Sequence, residues 1–214
     1  MKYDIVIFDL DGTLLNTIGD LAASVDYVMR SRNLPEHTDA EYRQMVGGGI
    51  RRLVERALPE ELAKSEAYVD ECVTQFRRYY VDNIDRHTVP YEGMCELLRD
   101  LQCEGVKLAV ASNKFQHGTD RLVSKFFGNI DFVAVEGNRE GAPLKPDPQI
   151  VTGILSRAGI GGIQENGILR KCVGDLLSVI RPEHQTLLAH FPVILTFQGY
   201  GGPHAYHHFY THGF

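Results

Sequence analysis

A short apolar run near the amino terminus, Ile5–Phe8, ends in two aspartates that lie two positions apart. The run has the composition of a strand that is buried on both faces of a sheet. Asp9 and Asp11 cannot continue such a strand, because at least one carboxylate would then be buried without a partner. The chain must therefore leave the sheet here, and Gly12 permits the tight turn that this requires.

Further runs have strand character at residues 107–112, 132–135 and 193–197, and helical patterns follow the earlier strands. Strands that alternate with helices predict an α/β fold, a parallel sheet with helices on both faces. Ligands bind in the crevice at the carboxyl ends of the strands of such a sheet. We therefore expect the two aspartates to lie at a binding crevice.

The long segment between the first two strands has helical patterns throughout. Thr38 and Glu41 have the spacing of a capping box at a helix start. Glycines at residues 47–49 break the pattern, and another helix is predicted from Pro59 to about Asn83. An apolar stripe of helical spacing is formed by Leu21, Val25, Val28 and Met29.

These patterns predict two domains. Residues 1–15 and 88–214 would form the α/β core, and residues 16–87 would form a helical cap that is inserted into it. The length of 214 residues fits one medium domain or a core with a small insert.

Charge and sequence patterns argue against several classes of protein. A net charge of -6 without a basic stripe argues against a nucleic-acid-binding protein. We expect no membrane partner, because the sequence shows neither a signal peptide nor an apolar stretch long enough to span a bilayer. The four cysteines show no CxxC spacing, so free thiols in the cytoplasm are expected.

Asp9 and Asp11 at a strand end can hold a hard divalent cation such as Mg²⁺. One of the two carboxylates can also act as a nucleophile. The alternative is an acidic turn without catalytic function, which the pair alone leaves open.

Polar residues at the other strand ends favour the catalytic interpretation. Ser112 and Asn113 offer a hydroxyl and an amide to a phosphate oxygen, and Lys145 in "LKPDP" can neutralise charge on a phosphoryl group. Asp175 in "CVGDLL" is a further acidic metal ligand. Taken singly, Ser112 fits a helix cap, Lys145 a surface charge and Asp175 a turn residue. Their order along the chain favours phosphoryl-group chemistry instead.

The motifs resemble those of the haloacid dehalogenase superfamily, and within it the phosphoglycolate phosphatase-like branch. The first motif matches as "DLDGTL", the second as "ASNK", the third as "KPDP" and the fourth in part as "VGD". The resemblance extends from residue 1 to about Gly159 and includes a helical cap. It implies a Rossmann-like core and a Mg²⁺-dependent phosphatase, a phosphoric monoester hydrolase acting on a small metabolite such as 2-phosphoglycolate.

The resemblance also implies residue roles. Asp9 would attack phosphorus and become an aspartyl phosphate, Asp11 would move protons, and Lys145 would complete the catalytic set. The expected metal ligands are Asp9, Asp11 and Asp175. The expected phosphate- and substrate-binding residues are Leu10, Gly12, Thr13, Ser112, Asn113, Lys114, Gly49 and Arg51. For Gly49 and Arg51, a glycine-rich helix break with an exposed arginine is an equal alternative.

The family pattern is lost after Gly159. Val179 and Ile180 stand where the family supplies a second acid, and the pattern returns at residues 199–205. A local change of reading frame and a divergent chain with a weakened metal site both explain this. The missing acid leaves an impaired phosphate-binding member as an alternative function. A phosphomutase and another sugar or nucleotide phosphatase of the superfamily are further alternatives, because cap residues decide the substrate. We expect a monomer or a homodimer.

Overall fold

The computed structural model describes residues 4–46, 49–145 and 147–160, together with the backbone of Ile194–Phe197. Asp175, Val179 and Ile180 lie outside the described residues. The chain forms two compact units, one from the residues before Asn16 and from Pro90 onward, the other from Asn16–Val89.

A four-stranded sheet forms the centre of the first unit. Its strands are β1 (Ile5–Phe8), β4 (Lys107–Phe115), β5 (Phe132–Asn138) and β6 (Ile194–Phe197). They lie in the order β5-β4-β1-β6. The first three are parallel to one another, which confirms the predicted α/β fold class. The late strand β6 departs from this pattern, because it pairs antiparallel with β1 at the edge of the sheet. A separate pair of short strands, β2 (Leu15–Asn16) and β3 (Val89–Pro90), lies where the chain passes between the units.

The sheet is covered on both faces. Ile5 and Ile7 share one face with alanines of β4 and β5, and helix α8 (Gln149–Arg157) packs on that face. Val6 and Phe8 point to the opposite face and are equally buried. Helices α6 (Met94–Cys103) and α7 (Gln116–Phe127) also pack against β4. This burial explains why β1 has no polar residue before Asp9.

The second unit consists of helices. These are α1 (Ile18–Ser31), α2 (Asp39–Met45), α3 (Ile50–Ala57), α4 (Glu60–Ala63) and α5 (Glu66–Asn83). The predicted apolar stripe is buried on α1, and the capping box of Thr38 and Glu41 is present at the start of α2. None of the helices in the described ranges combines the length and the hydrophobicity needed to cross a membrane.

The single helix predicted from Pro59 to about Asn83 is wrong, because two helices occupy this segment. The chain leaves the helical path after Ala63, and Ser65 caps the start of α5 by accepting a hydrogen bond from the Tyr68 N–H. A serine hydroxyl competes with helix continuation by offering the backbone another partner. Helical periodicity runs through this break and does not reveal it.

A buried carboxylate joins the first and last segments of the second unit. Asp20 in the first turn of α1 is 1% exposed. Its Oδ1 accepts a hydrogen bond from the His87 N–H at 2.9 Å. Its Oδ2 accepts from the Thr88 N–H at 2.8 Å and from the Thr88 hydroxyl at 2.7 Å. These hydrogen bonds join residues 67 and 68 positions apart, and no sequence pattern indicates them.

Candidate active site

The two aspartates lie in a tight turn directly after β1. Gly12 has a positive φ of 76°, a conformation that glycine adopts without a steric cost. The Gly12 N–H donates to Leu15 O at 2.9 Å, and the Thr13 N–H donates to Leu10 O at 3.3 Å. These hydrogen bonds fold the chain back, as the sequence predicted. The side chains of Asp9 and Asp11 are 21% and 25% exposed and are accessible to a ligand.

Asp9 is held through one of its two oxygens. Lys145 Nζ donates to Asp9 Oδ1 at 2.8 Å and to Ala111 O at 2.7 Å. The Leu10 N–H also donates to Asp9 Oδ1, at 2.8 Å. Within the described residues, no hydrogen bond reaches Asp9 Oδ2. The carboxylate is thus fixed in orientation while one oxygen is left for a ligand.

Lys145 is itself held by Asn113 at the end of β4. The Lys145 N–H donates to Asn113 Oδ1 at 2.8 Å, and Asn113 Nδ2 donates to Lys145 O at 3.3 Å. Both ends of the amide therefore bind the main chain of the "KPDP" segment. The expected contact of Asn113 with phosphate stays a prediction, since the structure shows its amide engaged with Lys145.

Asp11 forms an ion pair with a second lysine, Lys114. Lys114 Nζ lies 2.8 Å from Asp11 Oδ1, and the Lys114 side chain is only 3% exposed. The contact is an ion pair and not an aligned hydrogen bond, because no described donor has hydrogen-bond geometry at this buried oxygen. The family resemblance implies a phosphate contact for Lys114, whereas its pairing with Asp11 is not evident from the sequence.

The hydroxyl groups of Ser112, on β4, and Thr13, in the turn after β1, also belong to the first unit. Ser112 is 1% exposed, and its Oγ accepts a hydrogen bond from the Lys114 N–H at 3.1 Å. The Ser112 hydroxyl proton can still be donated to a ligand oxygen. Thr13 is fully buried, and its Oγ1 has no hydrogen-bond partner in the part of the chain that the structure describes.

The remaining predicted residues are placed differently. The Gly12 and Thr13 N–H groups are used within the turn, and the Leu10 N–H binds Asp9, so their predicted contacts with phosphate are not shown. Gly49 and Arg51 belong to the second unit. Arg51 binds Asp70 and Glu55, and Asp70 raises the pKa of its guanidinium above the usual value.

The donors present fit a magnesium ion. No group of three or more metal-binding side chains occurs in the described ranges. The available donors are the carboxylate of Asp9 and the main-chain carbonyl of Asp11, which are hard oxygen ligands. Proteins commonly hold Mg²⁺ through one or two carboxylates, with water and substrate oxygens as the other ligands. The expected third ligand, Asp175, lies outside the described residues.

Residues 6–175 match the haloacid dehalogenase-like hydrolase family. The chain belongs to this family. Among haloacid dehalogenase-like hydrolases, it is 32% identical over 160 residues to the phosphoglycolate phosphatase of Mesorhizobium japonicum, covering 74% of this chain and 70% of that protein. It is 28% identical over 200 residues to the phosphoglycolate phosphatase of Nitrosococcus oceani, covering 92% and 85%.

A solved structure agrees with this fold. A predicted phosphoglycolate phosphatase from Haemophilus somnus superimposes with a TM-score of 0.66 at 26% identity, covering 74% of this chain and 73% of that one. The expected resemblance is confirmed by the family match and these relatives. The expected class of enzyme, a phosphatase of this family, is confirmed with it.

Proposed function

We propose that this haloacid dehalogenase-like hydrolase is a Mg²⁺-dependent phosphatase that works through a phosphorylated Asp9. Its proposed substrate is a small phosphorylated metabolite of the 2-phosphoglycolate type, which the names of its relatives support. The observation that carries the proposal is the hydrogen bonding of the Asp9 carboxylate. Lys145 and the Leu10 N–H hold Oδ1, while Oδ2 accepts no hydrogen bond from the described residues.

The first half of the reaction transfers the phosphoryl group to the protein. Asp9 Oδ2 attacks phosphorus, an Oδ2–P bond forms, and the bond between phosphorus and the leaving oxygen breaks. Asp11 donates a proton to that oxygen, so the alcohol departs neutral. Lys145 keeps Asp9 oriented and places a positive charge beside the transferring group.

The second half restores the free enzyme. Water attacks the phosphorus of the aspartyl phosphate, and Asp11 takes the proton that the water loses. The Oδ2–P bond breaks, inorganic phosphate leaves, and Asp9 is again a carboxylate. Asp11 ends in the protonation state in which it began, so the proton balance of the cycle closes.

The charges around the two aspartates favour a bound cation. In the proposed cycle Asp11 enters with its proton, so the charged groups are Asp9, Lys114 and Lys145. Together they carry one net positive charge, which offsets only part of the charge of a phosphate dianion. Asp9, the main-chain carbonyl of Asp11 and Asp175 would hold Mg²⁺, which supplies the charge that offsets the phosphoryl group.

Hydrolysis of p-nitrophenyl phosphate tests the proposal directly. We expect turnover that needs Mg²⁺ and is abolished by EDTA. Asp9→Asn should lower kcat by at least about a thousandfold, because the amide cannot form the intermediate. Asp131→Asn makes the same change at an exposed aspartate of the same unit and should have no effect. Turnover by Asp9→Asn at the wild-type rate would contradict the proposal.

A panel of phosphorylated metabolites tests the substrate. The panel contains 2-phosphoglycolate, hexose phosphates, glycerol phosphate and nucleoside monophosphates. We expect the highest kcat/KM for 2-phosphoglycolate. A higher kcat/KM for a hexose phosphate or a nucleotide would contradict the proposed substrate but not the proposed phosphatase activity. A cytoplasmic location and a monomeric or homodimeric state remain part of this proposal.

A further inference from the structure

Lys114 is a buried lysine that lies against the second aspartate. Its side chain is 3% exposed, and lysine is almost never buried without a charged partner. Its Nζ lies 2.8 Å from Asp11 Oδ1. At such a site an ion pair is stronger than on the surface, because little water screens it.

Side-chain hydroxyls hold the main chain of Lys114 on both sides. The Lys114 N–H donates to Ser112 Oγ at 3.1 Å, and the Lys114 carbonyl accepts from Thr119 Oγ1 at 3.3 Å. The pairing of β4 with β5 shifts register between Ala111 and Phe115, and Lys114 lies within this irregularity. The local backbone is therefore set by these specific contacts and not by a regular ladder.

Strand β5 packs closely on the same segment. A Cβ atom added at Gly137 would lie 2.7 Å from Lys114 O and 2.6 Å from Thr119 Oγ1. Gln116 accepts a hydrogen bond from the Gly137 N–H at 2.8 Å and donates to Val135 O at 3.0 Å. Lys114 thus extends from a rigid support, whereas Asp11 lies in a turn.

We propose that Lys114 is a positioning residue that acts through Asp11 and does not bind the phosphate. By holding Asp11 Oδ1, Lys114 leaves the other carboxylate oxygen to give a proton to the leaving group and to receive one from water. This inference rests on the proposed function, in which Asp11 moves both protons. A fixed carboxylate transfers a proton more effectively because its geometry is set before the substrate arrives.

The dependence on the leaving group separates this role from phosphate binding. Phenyl phosphate and p-nitrophenyl phosphate have similar shapes, but the phenolate is the poorer leaving group and needs the proton more. For Lys114→Met, we expect kcat/KM to fall about 10- to 100-fold for phenyl phosphate and less than about threefold for p-nitrophenyl phosphate. Lys145→Met should lower both by similar factors, because Lys145 acts on Asp9 and the phosphoryl group.

A double-mutant cycle tests whether Lys114 acts through Asp11. Once Asp11→Asn is present, adding Lys114→Met should change kcat/KM for phenyl phosphate by less than about threefold, because the group it positions is gone. Lys125→Met, on the exposed side of α7, serves as the control without effect. If Lys114→Met does not fold, Gly137→Ala keeps the lysine, displaces its support and should give the same selective loss.

Two results would overturn the inference. Equal losses for both esters would assign Lys114 to phosphate binding, and fully additive losses with Asp11→Asn would show that the two residues act independently. Failure of the proposed function would look different. In that case Asp11→Asn itself would show no preference between the two esters, or Asp9→Asn would retain activity.

Discussion

Asn113 binds both main-chain polar atoms of Lys145, through hydrogen bonds of 2.8 and 3.3 Å. The lysine ammonium then reaches Asp9 Oδ1 at 2.8 Å. A residue at the end of β4 therefore fixes the lysine that orients the carboxylate at the end of β1. The second and third motifs of the sequence act on the first motif through this contact.

Lys145→Ala should lower kcat by about a hundredfold or more and leave the fold intact. The lysine ammonium is lost from a site where it lies beside the transferring charge. Steady-state kinetics and circular dichroism provide the measurement, with Lys125→Ala as the control in the same unit. Near-normal turnover by Lys145→Ala would remove this lysine from the catalytic set.

Asn113→Ala should reduce kcat/KM by about tenfold, less than the loss for Lys145→Ala. Each lost hydrogen bond is worth about 1 kcal/mol, and the lysine remains present but less well placed. The two losses should not add in the double variant, because Asn113 acts through Lys145. Additive losses would indicate that Asn113 has a separate role, such as the phosphate contact predicted from the sequence.

The first motif was predictable because its chemistry conflicts with its surroundings. A run as apolar as Ile5–Phe8 cannot continue through Asp9 and Asp11, so strand, turn and site follow from a few residues. The parallel pairing of β1, β4 and β5 followed from their alternation with helices. The break at Ser65 was missed because a side-chain cap leaves the apolar periodicity unchanged.

The contacts among the site residues were less predictable. Sequence order places Asn113, Lys114 and Lys145 near phosphate but does not state which atoms they bind. Lys114, which pairs with Asp11, lies where the pairing of β4 with β5 shifts register, and no residue pattern reveals this shift. Asp20 and Thr88 are far apart in the sequence and lack a shared motif, so their contact was also missed.

Asp20→Ala should destabilise the second unit by about 3 kcal/mol. The change removes a buried acceptor and leaves the N–H groups of His87 and Thr88 without it. Urea unfolding monitored by circular dichroism gives the free energy of unfolding. Asp82→Ala, at an exposed aspartate of the same unit, should change it by less than about 0.5 kcal/mol. Equal effects from both variants would contradict this account.

Cys103 should react with iodoacetamide at neutral pH much faster than Cys72. Cys103 is exposed, whereas Cys72 is fully buried, and burial raises the pKa of the Cys72 thiol. A raised pKa means that less of the reactive thiolate is present at neutral pH, so labelling of Cys72 should increase only under more alkaline conditions. Peptide mapping by mass spectrometry measures the extent of labelling at each cysteine. Faster labelling of Cys72 would show that its environment is open.

Detection of phosphate on Asp9 tests the central claim most directly. Asp11→Asn with p-nitrophenyl phosphate favours accumulation, because this ester needs little help in leaving while hydrolysis of the intermediate lacks its base. After an acid quench, we predict a phosphorylated peptide that contains residue 9 and is absent from the Asp9→Asn variant. Release of p-nitrophenol by a protein that never carries phosphate at residue 9 would contradict the account.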